Sequence, residues 1–155
     1  ESFSNVAMKW RTDTEPHARA DYRSYTALAV EEVGFVVHHK IPIAGASTDG
    51  LVSADGLVEI KCPNTATHIE TLQGQAVPSK YVLQMQWQMA CTGRQWCDFV
   101  SYDPRMPDSM RMFVCREARN DAMIAGLTEE VGKFLAELDA KVSSLTALYE
   151  RKEAA

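Results

Sequence analysis

The 155-residue sequence predicts an α/β protein, a mixed β-sheet flanked by helices. Three observations carry this. Short runs rich in β-branched and aromatic residues occur in two groups, over 35–62 and 95–117. Helix-like segments precede, separate and follow those groups, each with apolar residues at threes and fours. There is no internal repeat and no low-complexity linker, so one domain over 1–155 is expected.

Taken in order, "DTEPHARADYRSYTALAVEEV", 13–33, reads as a helix. Asp13 or Thr14 can cap it, Pro16 suits a first turn, and Gly34 stops it. Ala18, Tyr22, Tyr25 (or Thr26) and Ala29 form its apolar stripe. "FVVHHKIPI", 35–43, reads as one strand, in which His38 and His39 alternate. "AGASTDGLV" and "GLVEIKC" read as two strands joined by a turn around Ser53–Gly56, with Asp55-Gly56 as the turn signal. Pro63 ends the second. The polar stretch 64–77 holds one or two helical turns over Thr65–Leu72. Pro78-Ser79 opens a second helix, "SKYVLQMQWQMACTG", closed by Gly93. "QWCDFVSYD" and "MRMFVCRE" are two further strands around the loop "PRMPDS", where Arg105 reads as a solvated loop arginine. From Asn120 onward Ile124, Leu127, Val131, Phe134, Leu135, Leu138, Val142, Leu145 and Leu148 mark a long helix.

Composition narrows the function. The net charge of −5, from 16 basic and 21 acidic residues, argues against a general nucleic-acid coat protein. It leaves room for an enzyme with a local basic track and an acidic metal site. No run of 18 apolar residues exists. The four cysteines include no CxxC pair, and reduced, buried thiols in an intracellular protein are expected. "ESFSNVAMKW" has neither an initiator Met nor a signal-peptide layout, and reads as the start of a fragment.

The chemistry gathers in "STDGLVSADGLVEIKCP", 47–63. Alternation puts Leu57, Glu59 and Lys61 on one face of their strand and Val58, Ile60 and Cys62 on the other. Glu59 and Lys61 then lie about 6.6 Å apart along the strand. Asp49 can face the same point from the preceding strand. Two acids converging on one place repel, and a divalent cation relieves this, Mg²⁺ being suited to carboxylates and waters. The carbonyl of Ile60 could add a metal oxygen, and Lys61 could hold a nucleophilic water. Spacing alone equally fits an exposed hairpin edge in which Glu59 and Lys61 form a weak surface pair.

The D-x9-E-x-K pattern resembles the PD-(D/E)xK nuclease motif, with Thr48-Asp49 in the place of Pro-Asp. "STDGL…GLVEIKCP", then "YVLQMQWQM" and "WCDFVSYDPRM", are similar in order and separation to the phage lambda exonuclease family, the YqaJ-like viral recombinases. "AMKWRTDTEPHARADY" resembles that family's W-G-x-x-x-E-x-x-A-R helix, with Arg11 in the place of Gly.

The resemblance implies a restriction-endonuclease-like core. It implies a Mg²⁺-dependent 5′-to-3′ double-strand DNA exonuclease that releases 5′-mononucleotides and leaves 3′ tails for recombination. Two Mg²⁺ ions are implied, with Mn²⁺ able to substitute. Asp49 and Glu59 become the main metal ligands, Lys61 the catalytic lysine, and Glu15 the acid that helps hold a second metal. Ser47 and Gln84 match positions that grip the 5′-phosphate, and Met8 matches an apolar wedge at the terminal base pairs. Gln88 lies four residues from Gln84 on the same helix face, so a polar stripe there can look into the cleft, and the plainer reading of Gln88 is helix surface. Further implied are a homotrimeric ring on DNA, a single-strand annealing protein as partner, and a cytoplasmic location in a bacterial host. The family's phosphate pocket also uses an Arg and a Ser from an N-terminal segment that this chain does not show. Alternatives on the same residues are an endonuclease with this core and an inactive DNA-binding protein.

Overall fold

The computed structural model describes residues 4–153. The order is α1 (Ser4–Thr26), β1 (Val30–Glu31), β2 (Val36–His38), β3 (Ile41–Ala46), β4 (Gly50–Val52), β5 (Gly56–Lys61), α2 (Thr65–Gly74), α3 (Ser79–Thr92), β6 (Trp96–Tyr102), β7 (Met112–Ala118) and α4 (Asp121–Glu153). A five-stranded sheet runs β1-β4-β5-β6-β7, and β2 and β3 form a separate two-stranded hairpin. β5 and β6 are parallel, and the other pairs are antiparallel. The parallel pair needs a long crossover, which α2 and α3 supply. The expected mixed sheet with helices is therefore present.

The chain forms two compact units, residues 1–119 and 120–155. In the first, the alternation of β5 sorts the core. Val58, Ile60 and Cys62 join Val100, Tyr102 and the α1 residues Ala18 and Tyr22. Leu57 joins Cys97, Phe99 and the α3 residues Met85 and Met89. In the second unit, the Asn120 side chain accepts a hydrogen bond from the Met123 N–H at 3.0 Å and caps α4. Leu138, Val142, Leu145 and Leu148 are exposed along it. Among the described residues no helix is long and apolar enough to cross a membrane.

The elements expected from Pro78 onward are present, and the one or two turns expected over Thr65–Leu72 are a full helix, Thr65–Gly74. The Asn64 side chain accepts from the Thr67 N–H and starts α2. Gly93, at φ 73°, ends α3 by donating its N–H to the Met89 carbonyl. Earlier the structure departs from expectation in three places. α1 begins at Ser4, so neither Asp13 nor Thr14 caps it and Pro16 lies inside the helix. Proline removes one N–H there, yet Ala18 and Tyr22 are fully buried against the sheet just beyond it. The helix stops at Thr26 rather than Val33, with Ala27 left-handed at φ 56°, because Val30 pairs with Val52 in the sheet. The run 35–43 is broken at His39-Lys40, where the Lys40 N–H donates to His38 Nδ1 at 3.1 Å. Residues 44–46 belong to β3, and only 50–52 of the expected 44–52 strand pair with β5.

One network centred on the buried Asp98 binds α1 to the sheet. Tyr22 donates its hydroxyl to Asp98 at 2.7 Å, and Arg116 grips the same carboxylate at 2.7 and 2.9 Å. The Arg116 guanidinium lies over the Trp96 ring, 3.5 Å from its centre. Tyr22→Phe removes one hydrogen bond to a buried charged group. It is expected to cost about 1.5–3 kcal/mol in urea unfolding; an unchanged midpoint would show that Arg116 alone satisfies Asp98.

Candidate active site

β5 is flanked by β4 and β6, so its side chains meet helices on both faces. Glu59 points to the α3 face and is only 1% exposed. A carboxylate in that position is costly unless donors surround it. Three do. Lys61, two residues along the same face, pairs its ammonium with Oε1. Gln84 donates to Oε1 at 2.8 Å, and Gln88 donates to Oε2 at 2.6 Å. The two glutamines are four apart on α3 and present one stripe. Gln86, on another face of the helix, turns instead to the Ala118 carbonyl of β7 at 2.8 Å. The Lys61 ammonium also sits 4.8 Å from the centre of the Tyr81 ring.

Asp49 reaches the same place from the loop before β4. Its Oδ2 accepts the Ile60 N–H at 2.6 Å. In an extended strand the carbonyl of a residue points the same way as its N–H, so the Ile60 carbonyl also faces the Asp49 side. Thr48, buried beside it, donates its hydroxyl to the Val58 carbonyl at 3.2 Å and fastens the loop to β5. Burial and the nearby negative charge of Glu59 push the Asp49 carboxyl up to about 6, against the pull of the Ile60 N–H and Lys61. Glu15 adds to that repulsion from α1. Glu15 itself is paired with Arg19 at 2.6 Å, and Arg19 donates to the Asp49 carbonyl at 3.1 Å. The helix is thereby tied to the acidic loop.

The structure thus brings together Asp49, Glu59, Ile60 and Lys61, with Gln84 on Glu59 and Glu15 at the edge. Ser47 is exposed, and its carbonyl accepts from Gln88 at 2.8 Å. Met8 is exposed on α1, seven residues before Glu15 or about 10 Å along the helix axis. The Glu59–Lys61 pair is buried, which excludes the exposed hairpin edge that spacing alone also fitted. Two expectations change. Gln88 is 1% exposed rather than helix surface. Arg105 is not simply solvated: it grips Asp103 at 2.7 and 2.9 Å and lies 4.4 Å from the centre of the Trp10 ring. Arg19 was also missed, although its i,i+4 spacing from Glu15 in "EPHAR" was the available signal. The four cysteines are free, three of them buried.

Whether these residues suit a divalent ion can be judged from the donors. Among the described residues no three acids, histidines or cysteines form a ready-made cage. Two converging carboxylates with an adjacent carbonyl suit Mg²⁺, which keeps several waters and uses one or two carboxylates. The repulsion that raises Asp49 is what such a charge removes. Gln88 Oε1 adds a buried acceptor with no hydrogen-bond partner, at a desolvation cost of about 1–3 kcal/mol.

The raised Asp49 gives a stability test in chelated buffer. Between 3.8 and about 6 the folded chain binds a proton that the unfolded chain releases, so stability falls as pH rises through that window. Asp49→Asn retains an acceptor for Ile60 and removes the charge. Its melting temperature is expected to exceed the parent's at about pH 8 and to equal it at about pH 3. A lower value at the higher pH would show that Asp49 is not electrostatically strained.

The chain is similar in sequence and fold to known proteins. The sequence profile of the YqaJ-like viral recombinase domain matches residues 1–95. An alkaline exonuclease (LHK-Exo) from Laribacter hongkongensis is 55% identical, with a TM-score of 0.89 over 96% of this chain and 74% of that one. The same enzyme in complex with dAMP aligns equally well, over 94% of this chain and 74% of that one. A phage related exonuclease from Haemophilus somnus 129PT shares the fold at 16% identity, with a TM-score of 0.67 over 85% of this chain and 73% of that one. Among curated proteins none matches. The sheet is thus the core of a PD-(D/E)xK-type nuclease fold, and the chain belongs to the YqaJ-like viral recombinase domain family.

Proposed function

We propose that this chain is a Mg²⁺-dependent 5′-to-3′ double-strand DNA exonuclease that releases 5′-mononucleotides and leaves 3′ single-stranded tails for recombination. One observation carries the reading: Asp49 and Glu59 converge at one end of β5 with Lys61 beside them. Two facts about the Laribacter protein support it. That protein is an alkaline exonuclease, and it is known in complex with dAMP, a nucleoside monophosphate.

In this reading Asp49, Glu59 and the Ile60 carbonyl would hold one Mg²⁺, and Glu15 would help to hold a second. The ions, when bound, supply positive charge against the phosphoryl oxygens and make water a better nucleophile. The chain's own groups do the rest. Lys61 lies at the same point with 14% of its side chain exposed, and it turns from Glu59 to orient the attacking water. Gln84 is exposed on α3 and turns to donate to the terminal 5′-phosphate, as an amide can. The Ser47 hydroxyl joins it. Met8 serves as the wedge at the terminal base pair. The reading extends to a homotrimeric ring around DNA and to delivery of the tail to a single-strand annealing protein.

A linear 5′-phosphorylated duplex and a covalently closed circle separate the possibilities. With Mg²⁺, the linear duplex is expected to yield mononucleotides while the circle stays intact. Cutting of the circle would assign an endonuclease, and survival of both at every Mg²⁺ concentration would leave a binding protein. Within the enzyme, Asp49→Asn and Lys61→Ala should each lower hydrolysis by at least about 100-fold while DNA binding persists. Turnover near the parent's in either variant would remove that residue from the mechanism. Gln84→Ala should reduce the preference for 5′-phosphate over 5′-hydroxyl ends. An unchanged ratio would exclude the contact.

A further inference from the structure

We infer that Gln88 is the positioning residue of this site: its buried amide sets the orientation of Glu59 and the spacing between Glu59 and the Asp49 loop. The assignment rests on the nuclease reading above and adds a residue to it.

Gln88 is 1% exposed, and its amide nitrogen makes two bonds, to Glu59 Oε2 at 2.6 Å and to the Ser47 carbonyl at 2.8 Å. Both partners are acceptors. Rotating the amide by half a turn would set its oxygen against a carboxylate and a carbonyl, so the assignment of nitrogen and oxygen is determined by chemistry. One NH₂ therefore spans three segments: α3, which carries it; β5, which carries Glu59; and the loop of Ser47, two residues from Asp49.

The other donors to Glu59 are of a different kind. Lys61 and Gln84 both bind Oε1. Gln84 is exposed and the Lys61 side chain is partly so. In the proposed reaction both leave Glu59 to act on water and phosphate. Gln88 has no such freedom, being buried and bonded to backbone as well as to Glu59. It is the contact that still holds the carboxylate when the other two have turned away. Groups that orient metal-binding side chains in this manner tune both affinity and activity.

The Gln88 oxygen argues against a purely stabilising part. It is buried and has no hydrogen-bond partner. A residue that served only to fill space would not leave an unmet acceptor there. The amide is kept for what its nitrogen holds.

The test compares the parent chain with Gln88→Met, which keeps the shape and loses the amide, and Gln88→Asn, which keeps an amide too short to span both partners. Mn²⁺ binding is read by calorimetry without DNA. Hydrolysis of a 5′-phosphorylated duplex is read across a Mg²⁺ titration. Both variants are expected to bind Mn²⁺ about 10–100-fold more weakly, and to need correspondingly more Mg²⁺ for half-maximal hydrolysis. KM for the duplex end is expected to stay near the parent's at saturating Mg²⁺. The Asn variant decides the matter if the Met variant does not fold. A folded variant with parental Mn²⁺ affinity and parental Mg²⁺ requirement overturns the assignment. A parent that binds Mn²⁺ yet never digests duplex overturns the nuclease reading instead, since the metal measurement uses no DNA.

Discussion

A carboxylate at 1% exposure on an interior strand is the constraint around which this unit is arranged. Taking such a group out of water costs several kcal/mol unless donors replace the lost hydration. Glu59 is met by one ammonium and two amides, and these come from two elements. Lys61 arrives by strand alternation. Gln84 and Gln88 arrive only because α3 lies across this face, and α3 lies there because the parallel β5–β6 pair requires a crossover. The topology of the sheet and the satisfaction of one buried side chain are therefore a single problem with a single solution.

Asp49 is held in another way. It takes a backbone N–H from β5, while its own loop is fastened by Thr48 and by Arg19 from α1. The two acids approach from different segments, and the Gln88 amide and the Ile60 N–H tie those segments together. These ties keep the acids close although each disfavours the other's charge, as the raised Asp49 shows. Repulsion of this kind is relieved by added positive charge. The surrounding arginines do not supply it. Arg19 is occupied by Glu15, and Arg105 and Arg116 each grip an aspartate on β6 or just beyond it.

The departures from local expectation lie upstream of this centre and share a cause. Asp13-Thr14 with Pro16 is a sound helix-start signal, but the helix runs through it from Ser4, with Thr14 buried and Trp10 beneath the Arg105 guanidinium. Residues 27–33 carry helical spacing, yet Val30 is drawn into the sheet by Val52. His39-Lys40 has no glycine or proline to announce a turn. The bend there is made by His38, which is buried, stacks 5.1 Å from Trp87 and accepts from the Lys40 N–H. In each case a partner distant in sequence outweighs a local preference of about 1 kcal/mol or less per residue.

By itself the sequence determined the strands from Gly56 onward, the glycine that closes α3, and the face on which Glu59 and Lys61 lie. All of these follow from alternation, turn chemistry and capping, which act within a few residues. Tertiary structure alone decided that Glu59 is buried, that Gln88 is its anchor and that Arg19 joins α1 to the Asp49 loop. Those contacts span 29 and 30 residues of chain. Their partners are chosen by how helices lie on the sheet, and no local pattern encodes which polar side chain will find itself beneath one.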